Sequence, residues 1–172
     1  MLFLYMKRLI IMVLVAVAAI SPASAGDGDR HLGFQAGVFY PGVLGGTLSV
    51  DYETRYHNAW EVYLDAFTEW ADCGTCGKVC RDSFRKSNYG LGIGGAYKPT
   101  VWRSRNSTGR ARMGADIGTC SRAFSMGVEL GYEHFWTLRG GWQLVLQQKN
   151  EVTFWGGPTW RFGGMLGIRL PL

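Results

Sequence analysis

The sequence predicts an all-β protein, a small antiparallel up-and-down transmembrane β-barrel of about eight strands that follows a cleaved signal peptide. Apolar and polar residues alternate with a period of two in one segment after another, which is typical of strands whose two faces meet different surroundings. Aromatic residues stand near the segment ends, where membrane barrels carry their interfacial girdles. Glycines and charged residues collect on the opposite parity, as expected inside a narrow barrel.

The first 25 residues are expected to be a secretory signal peptide, which leaves residues 26–172 as one outer-membrane β-barrel domain. Lys7 and Arg8 precede an apolar stretch over residues 9–20, and Ala23-Ser24-Ala25 matches a small-residue cleavage site. The apolar stretch is shorter than the roughly 20 residues that a membrane-spanning helix needs. Export followed by barrel formation places the chain in the outer membrane of a Gram-negative cell envelope.

The clearest strand runs from Asn58 to Trp70. Trp60 and Trp70 bracket its apolar parity, while Glu61 and Asp65 lie on the other parity. Ten residues with a rise of roughly 3.3 Å, tilted by roughly 40°, cover about 25 Å along the bilayer normal, which is the height of the apolar band of such barrels. The two indole rings would then lie at the two membrane interfaces.

Seven further segments repeat this alternation, and glycine or proline separates most of them. The predicted strands are residues 31–40, 47–56, 58–70, 88–98, 111–119, 124–136, 142–154 and 160–172. Gln148 and Asn150 interrupt the apolar parity of the seventh strand. With both chain ends in the periplasm, the connections 41–46, 71–87, 120–123 and 155–159 face outward. The connections 57–58, 99–110 and 137–141 then face the periplasm.

Charged residues on the polar parity are predicted to pair inside the barrel. They are Asp51, Glu53, Arg55, Glu61, Asp65, Glu69, Lys98, Arg112, Asp116, Glu129, Glu133 and Arg169. A water-soluble sandwich or lipocalin-like barrel would reverse the two faces, with apolar residues inside and charges in water. This alternative stays open from the sequence alone.

The four cysteines are Cys73, Cys76, Cys80 and Cys120. In an exported protein they are disulfide candidates, and a bridge from Cys80 to Cys120 is favoured because Cys120 ends a neighbouring strand on the same side. Four thiolates could instead hold zinc, although only the first two have the usual Cys-x2-Cys spacing. No metal or other cofactor is preferred.

The sequence offers no convincing catalytic centre. His134 has aromatic neighbours and Glu133 beside it, but it lies on the lipid-facing parity and no serine follows at close spacing. The densest basic patch lies between the fourth and fifth predicted strands and comprises Trp102, Arg103, Arg105 and Arg110. These residues are candidates for docking an acidic periplasmic partner. Direct nucleic-acid binding is not expected, because the formal net charge of +5 falls to +3 once Lys7 and Arg8 leave with the signal peptide.

Three motifs resemble a known family. They are Cys73-Gly-Thr-Cys-Gly-Lys-Val-Cys-Arg-Asp-Ser-Phe84, Gly95-Ala-Tyr-Lys-Pro99 and Gly163-Gly-Met-Leu-Gly-Ile-Arg-Leu-Pro-Leu172. Together they are similar to the TraO-type conjugal transfer proteins of Bacteroidetes conjugative elements, from roughly Trp60 to the end of the chain. The resemblance implies an outer-membrane component of a type IV-like DNA transfer apparatus, without enzymatic activity and without catalytic residues to carry over.

The predicted function is therefore a structural or docking part of a conjugation machine, with outer-membrane lipid and other transfer proteins as its partners. Two alternatives remain from the sequence. One is a small outer-membrane barrel with a lipid-modifying or adhesion role. The other is a soluble periplasmic β domain with a zinc site built from the four cysteines.

Overall fold

The structure, a computed structural model, describes residues 29–69, 89–120, 123–155 and 160–172. Antiparallel strands account for nearly all of them: β1 (Arg30–Tyr40), β2 (Val43–Glu53), β3 (Ala59–Glu69), β4 (Tyr89–Lys98), β5 (Thr100–Arg103), β6 (Ser107–Cys120), β7 (Ala123–Thr137), β8 (Gln143–Trp155) and β9 (Trp160–Pro171). A single 3₁₀ turn covers Arg139–Gly141. Within these ranges, no helix is long and apolar enough to cross a membrane.

Eight of the strands close into a barrel, which confirms the predicted fold class. Neighbours in the chain pair with one another, β4 pairs with β6, and β1 pairs with β9 from His31–Pro171 to Tyr40–Phe162. Pairing of the first and last strands removes the open edges that a flat sheet would leave. The short strand β5 lies outside the ring and pairs with the first residues of β6.

The two faces of the strands are oriented as the alternation predicts. Val62 and Val128 are 45% and 44% exposed on the outside, whereas Glu61 and Glu129 are 3% and 1% exposed on the inside. Large apolar side chains therefore cover the outer wall and charges line the interior. This finding excludes the water-soluble sandwich, in which the two faces would be exchanged.

The barrel has two distinct ends. At the terminal end β1 begins, β9 ends, and β2 joins β3, β5 joins β6 and β7 joins β8. At the loop end β1 joins β2, β3 joins β4, β6 joins β7 and β8 joins β9. The predicted division of the connections into two sets is confirmed by this arrangement, and the signal peptide lies outside the described residues.

Three predicted connections have the wrong bounds. The turn predicted over residues 57–58 starts earlier, because β2 ends at Glu53 and not at Tyr56. The turn predicted over residues 41–46 is only Pro41-Gly42, because Gly42 adopts a left-handed backbone (φ 64°) and lets β2 start at Val43 opposite Phe39. The connection predicted over residues 99–110 contains β5 and the start of β6, which pair across a short hairpin. The many basic side chains in this segment mask the apolar alternation by which a strand is recognised in the sequence.

Glycines on the inner wall make room for aromatic rings. Gly94 of β4 lies directly opposite Tyr63 of β3. A Cβ at Gly94 would overlap the Tyr63 ring and would come within 2.7 Å of the Ala115 carbonyl oxygen. The neighbouring Gly95 points outward, and its nearest neighbour would be the Glu61 carbonyl oxygen at 3.6 Å. The two glycines therefore provide a matched pair of sites.

We expect Gly94→Val to lower the free energy of unfolding by about 1–3 kcal/mol, because an overpacked interior has to displace a ring and a backbone. Gly95→Val should cost less than about 0.5 kcal/mol, because its side chain would face the surroundings rather than the packed interior. The measurement is the urea midpoint of the folded barrel in lipid vesicles, followed by tryptophan fluorescence. Equal losses in the two variants would contradict the packing described for the inner wall.

Candidate functional site

The interior of the barrel is filled by cationic side chains that pair with carboxylates from facing strands. The cations are Lys98, Arg110, Arg112, Lys149, Arg161 and Arg169. All of them are almost completely buried. A buried charge is tolerated only where a partner compensates it, so each of these cations requires a carboxylate partner.

Lys98, at the end of β4, is surrounded by three carboxylates. Its Nζ lies 2.8 Å from Asp51 Oδ1, 3.1 Å from Glu61 Oε1 and 2.8 Å from Glu133 Oε2. Arg169 of β9 contacts two of the same groups, with its Nε 3.0 Å from Asp51 Oδ2 and a second contact to Glu133. Five side chains from five strands thus form one cluster across the interior.

Arg112 connects this cluster to the other half of the barrel. It lies 2.8 Å from Glu61 Oε2 and also pairs with Glu129 of β7. Lys149 of β8 then pairs with Glu129 at 2.8 Å and with Asp65 of β3. The Arg112 guanidinium also lies over the Tyr63 ring, 4.6 Å from its centroid. The ion pairs therefore run without a break from one layer to the next.

Near the loop end the chain of ion pairs finishes at Glu151 and Arg161. Lys149 lies 3.4 Å from Glu151, and Arg161 pairs with the same carboxylate while its guanidinium stacks over Phe67. A small cavity beside these groups is also lined by Thr47 and has room for about one water molecule.

At the terminal end Arg110 points into the barrel and pairs with Glu53, whose other oxygen lies 2.9 Å from His57 Nδ1. Arg110 is 2% exposed. Its prediction as a docking residue is therefore wrong, because the strand β6 begins before it and places it on the inner parity. Arg55, predicted to face the interior, is exposed in the turn between β2 and β3.

Most of the other predicted interior charges do pair there. Sequence reasoning missed Lys149, Glu151 and Arg161 as members, although their parity on β8 and β9 was the available signal. The apolar residues of β8 predicted its outer face, and its polar parity was not assigned to the interior. Asp116 lies inside, as predicted, and within the described ranges no ion pair reaches it.

Cys120 ends β6 and is buried. It lies opposite Gly90 of β4 and Ala123 of β7. Cys73, Cys76 and Cys80 fall outside the described residues, so the disulfide and the zinc site both stay predictions. Among the residues that are described, no group of three potential metal ligands comes together.

The other three predicted docking residues lie on a rim at the terminal end, formed by β5 and the turn that follows it. Trp102 is 48% exposed, and its ring stacks on His134 at 5.5 Å. Arg103 and Arg105 are exposed beside it. One edge of β5 pairs with β6, and in the described part of the chain no strand covers its other edge. We call Thr100–Arg103 with Arg105 the terminal rim.

His134 lies on the outer wall, as its parity predicts. Its ring contacts aromatic side chains on β7, with ring centroids 4.4 Å from Trp136 and 6.3 Å from Tyr132. Such an aromatic cluster at the end of a strand suits the headgroup level of a membrane.

A closed barrel with an apolar outer wall, aromatic residues toward both ends and a charged interior is the architecture of a transmembrane β-barrel. A scan of family models and a search of curated proteins found no match to the sequence. Among solved structures, the chain is similar to a major outer membrane protein from Thermus thermophilus, with 14% identity, a TM-score of 0.55, and coverage of 85% of this chain and 100% of that one. It also matches a de novo designed transmembrane β-barrel, with 12% identity, a TM-score of 0.48, and coverage of 87% and 98% of the two chains. At these identities the likeness concerns the fold.

Removing the charge of Lys98 should strongly destabilise the folded barrel. We expect Lys98→Met to lower the free energy of unfolding by about 3–5 kcal/mol, because three carboxylates then share a buried cluster with too little positive charge. Arg105→Met on the exposed rim is the control and should change stability by less than about 0.5 kcal/mol. Urea unfolding in vesicles at neutral pH measures both, and a Lys98→Met barrel as stable as the control would contradict the described cluster.

Proposed function

We propose that this protein is a structural and docking component of the outer membrane, without enzymatic activity, that serves a conjugative DNA transfer apparatus. The observation that carries the proposal is the interior, which is filled by the ion-pair chain from Asp51 to Arg161 and by the separate pair of Arg110 with Glu53. An eight-stranded barrel has an interior just wide enough for side chains. A barrel filled in this way acts through its surfaces rather than as a conduit for DNA.

The terminal rim supports a docking role. In an outer-membrane barrel both chain ends face the periplasm, which would turn β5 and its arginines toward periplasmic proteins. An exposed strand edge can accept a strand from a partner through main-chain hydrogen bonds. Arg103 and Arg105 would favour an acidic partner segment by charge complementarity.

The assignment to conjugation is supported by the resemblance of residues 73–84, 95–99 and 163–172 to TraO-type transfer proteins. The first of these motifs belongs to the connection between β3 and β4 and the last to β9. In this proposal the barrel anchors the apparatus in the membrane and the rim joins it to the periplasmic components.

Membrane residence can be tested first. The protein should remain in the outer-membrane fraction after carbonate washing, and its band should change mobility when the sample is heated before electrophoresis, because folded barrels resist detergent at room temperature. A protein that carbonate releases, with a band that heating does not shift, would rule out the anchor.

The docking role predicts a phenotype for the rim. Trp102→Ala combined with Arg103→Ala and Arg105→Ala should reduce the transfer frequency of the parent element at least about tenfold, since loss of a central aromatic and its charged neighbours typically weakens an interface by several kcal/mol. Arg139→Ala, an exposed residue of another turn at the same end, is the control and should transfer normally. The amount of heat-shifted barrel must be unchanged in both strains. Normal transfer after deletion of the whole gene would refute the role in conjugation, whereas normal transfer in the rim variant alone would refute only the docking surface.

A further inference from the structure

Two polar side chains break the apolar outer wall of the barrel. Gln148 and Asn150 are on the outer face of β8, between the exposed Leu146 and Val152 of the same face. Their neighbours in the strand, Gln147 and Lys149, are buried, which shows that Gln148 and Asn150 lie on the outward-facing parity. We call Gln148 and Asn150 the amide pair.

The amide pair lies at mid-depth in the wall. Gln148 is midway along β8 between Trp142 and Phe154, which are both exposed aromatic residues of the outer face. Aromatic rings of this kind lie at the two membrane interfaces. Gln148 is therefore near the middle of the apolar band, and Asn150 is one outward position further along the strand.

The barrel itself leaves these amides largely unsatisfied. Asn150 Nδ2 donates to the Leu130 carbonyl oxygen at 3.3 Å, which leaves the Asn150 oxygen without a donor among the described residues. For Gln148, no side-chain hydrogen bond occurs within the same set of residues. Hydrocarbon offers no hydrogen bonds, so polar groups at this depth favour a protein partner over lipid.

The neighbourhood of the amide pair has room for an incoming side chain. Gln148 lies directly opposite Gly164 of β9, which is on the same outer face and has no side chain. Leu146 and Leu166 lie beside this recess, and Leu130 of β7 lies opposite Asn150. All three side chains are exposed. A polar centre with an apolar border resembles the arrangement of hydrogen-bonded contacts between membrane segments.

Geometry favours a second copy of the same chain as the occupant. Two copies inserted in the same direction are related by a two-fold axis along the membrane normal, so each residue meets its own counterpart at the same depth. Strands tilted by roughly 40° in each barrel cross at about 80° where the walls touch. Such walls approach closely at one spot only, and a single amide pair at mid-depth suits a contact of this size.

We propose that the protein forms a symmetric dimer through the outer wall of β8 and β9, in which Gln148 and Asn150 hydrogen-bond to the same residues of the second copy. Amides suit this role because each carries both a donor and an acceptor, so a group can pair with its own copy. The inference goes beyond the proposed function and shares with it only the residence in a membrane.

Photo-crosslinking of the folded barrel in phosphatidylcholine vesicles tests the dimer. Two differently tagged copies are mixed, with p-benzoylphenylalanine replacing Leu146 beside the amide pair. We expect a cross-linked band of twice the mass that carries both tags. The control places the same probe at Val62 of β3, which is four strands away around the ring in either direction, and it should give no dimer.

The role of the amides is tested by Gln148→Leu combined with Asn150→Leu, which should abolish the Leu146-site dimer while the heat-shifted monomer stays intact. Thr119→Leu, a polar-to-apolar change on the outer face of β6, should leave the dimer unchanged. Reaction of the probe with lipid alone, equal dimer from positions 146 and 62, or a dimer that persists in the double leucine variant would each overturn the proposal. Absence of the heat-shifted band in the unsubstituted protein would instead count against membrane folding and hence against the proposed function.

Discussion

Every feature of this molecule depends on the requirement that backbone polar groups in lipid find partners within the protein. The pairing of β1 with β9 and of β4 with β6 meets this requirement by closing the sheet. Closure with eight strands in turn makes the interior narrow, so that only side chains fit. The charged interior and the apolar outer wall are thus two consequences of one closed hydrogen-bond ladder.

The ion pairs show how a narrow interior can be polar without being a pore. Four of the buried cations contact carboxylates from more than one strand; Lys98, for example, reaches β2, β3 and β7, and Lys149 reaches β3 and β7. These contacts span the barrel and hold opposite walls at a defined distance. The aromatic rings of Tyr63 and Phe67 fill the remaining space beside Arg112 and Arg161. Side chains of the barrel strands themselves therefore block the interior.

Period-two alternation predicted the strands, the closed architecture and the orientation of residues such as Glu61 and Val62, because side-chain direction along a strand is a local property. It failed where local chemistry misleads. Arg110 looked like part of a basic turn but belongs to β6, and Val43–Gly46 looked like a turn but belongs to β2. The partners of each charge could not be predicted at all, since the meeting of Lys98 with Asp51 and Glu133 depends on the stagger of strands that are distant in the chain.

Putting the charges inside also has a consequence for how the chain reaches a membrane. An interior packed with leucine and valine would make every strand apolar on both parities, and strands of this length would then approach the continuous apolar run of about 18 residues that is inserted as a helix. Alternation prevents this, because Glu129 and Glu133, four positions apart on the inner parity, interrupt the apolar residues of β7. The same carboxylates are neutralised only when Arg112, Lys149, Lys98 and Arg169 of other strands pair with them. The inward-facing charges therefore disfavour insertion of a single strand into lipid, whereas the assembled barrel, in which these charges are paired, can insert.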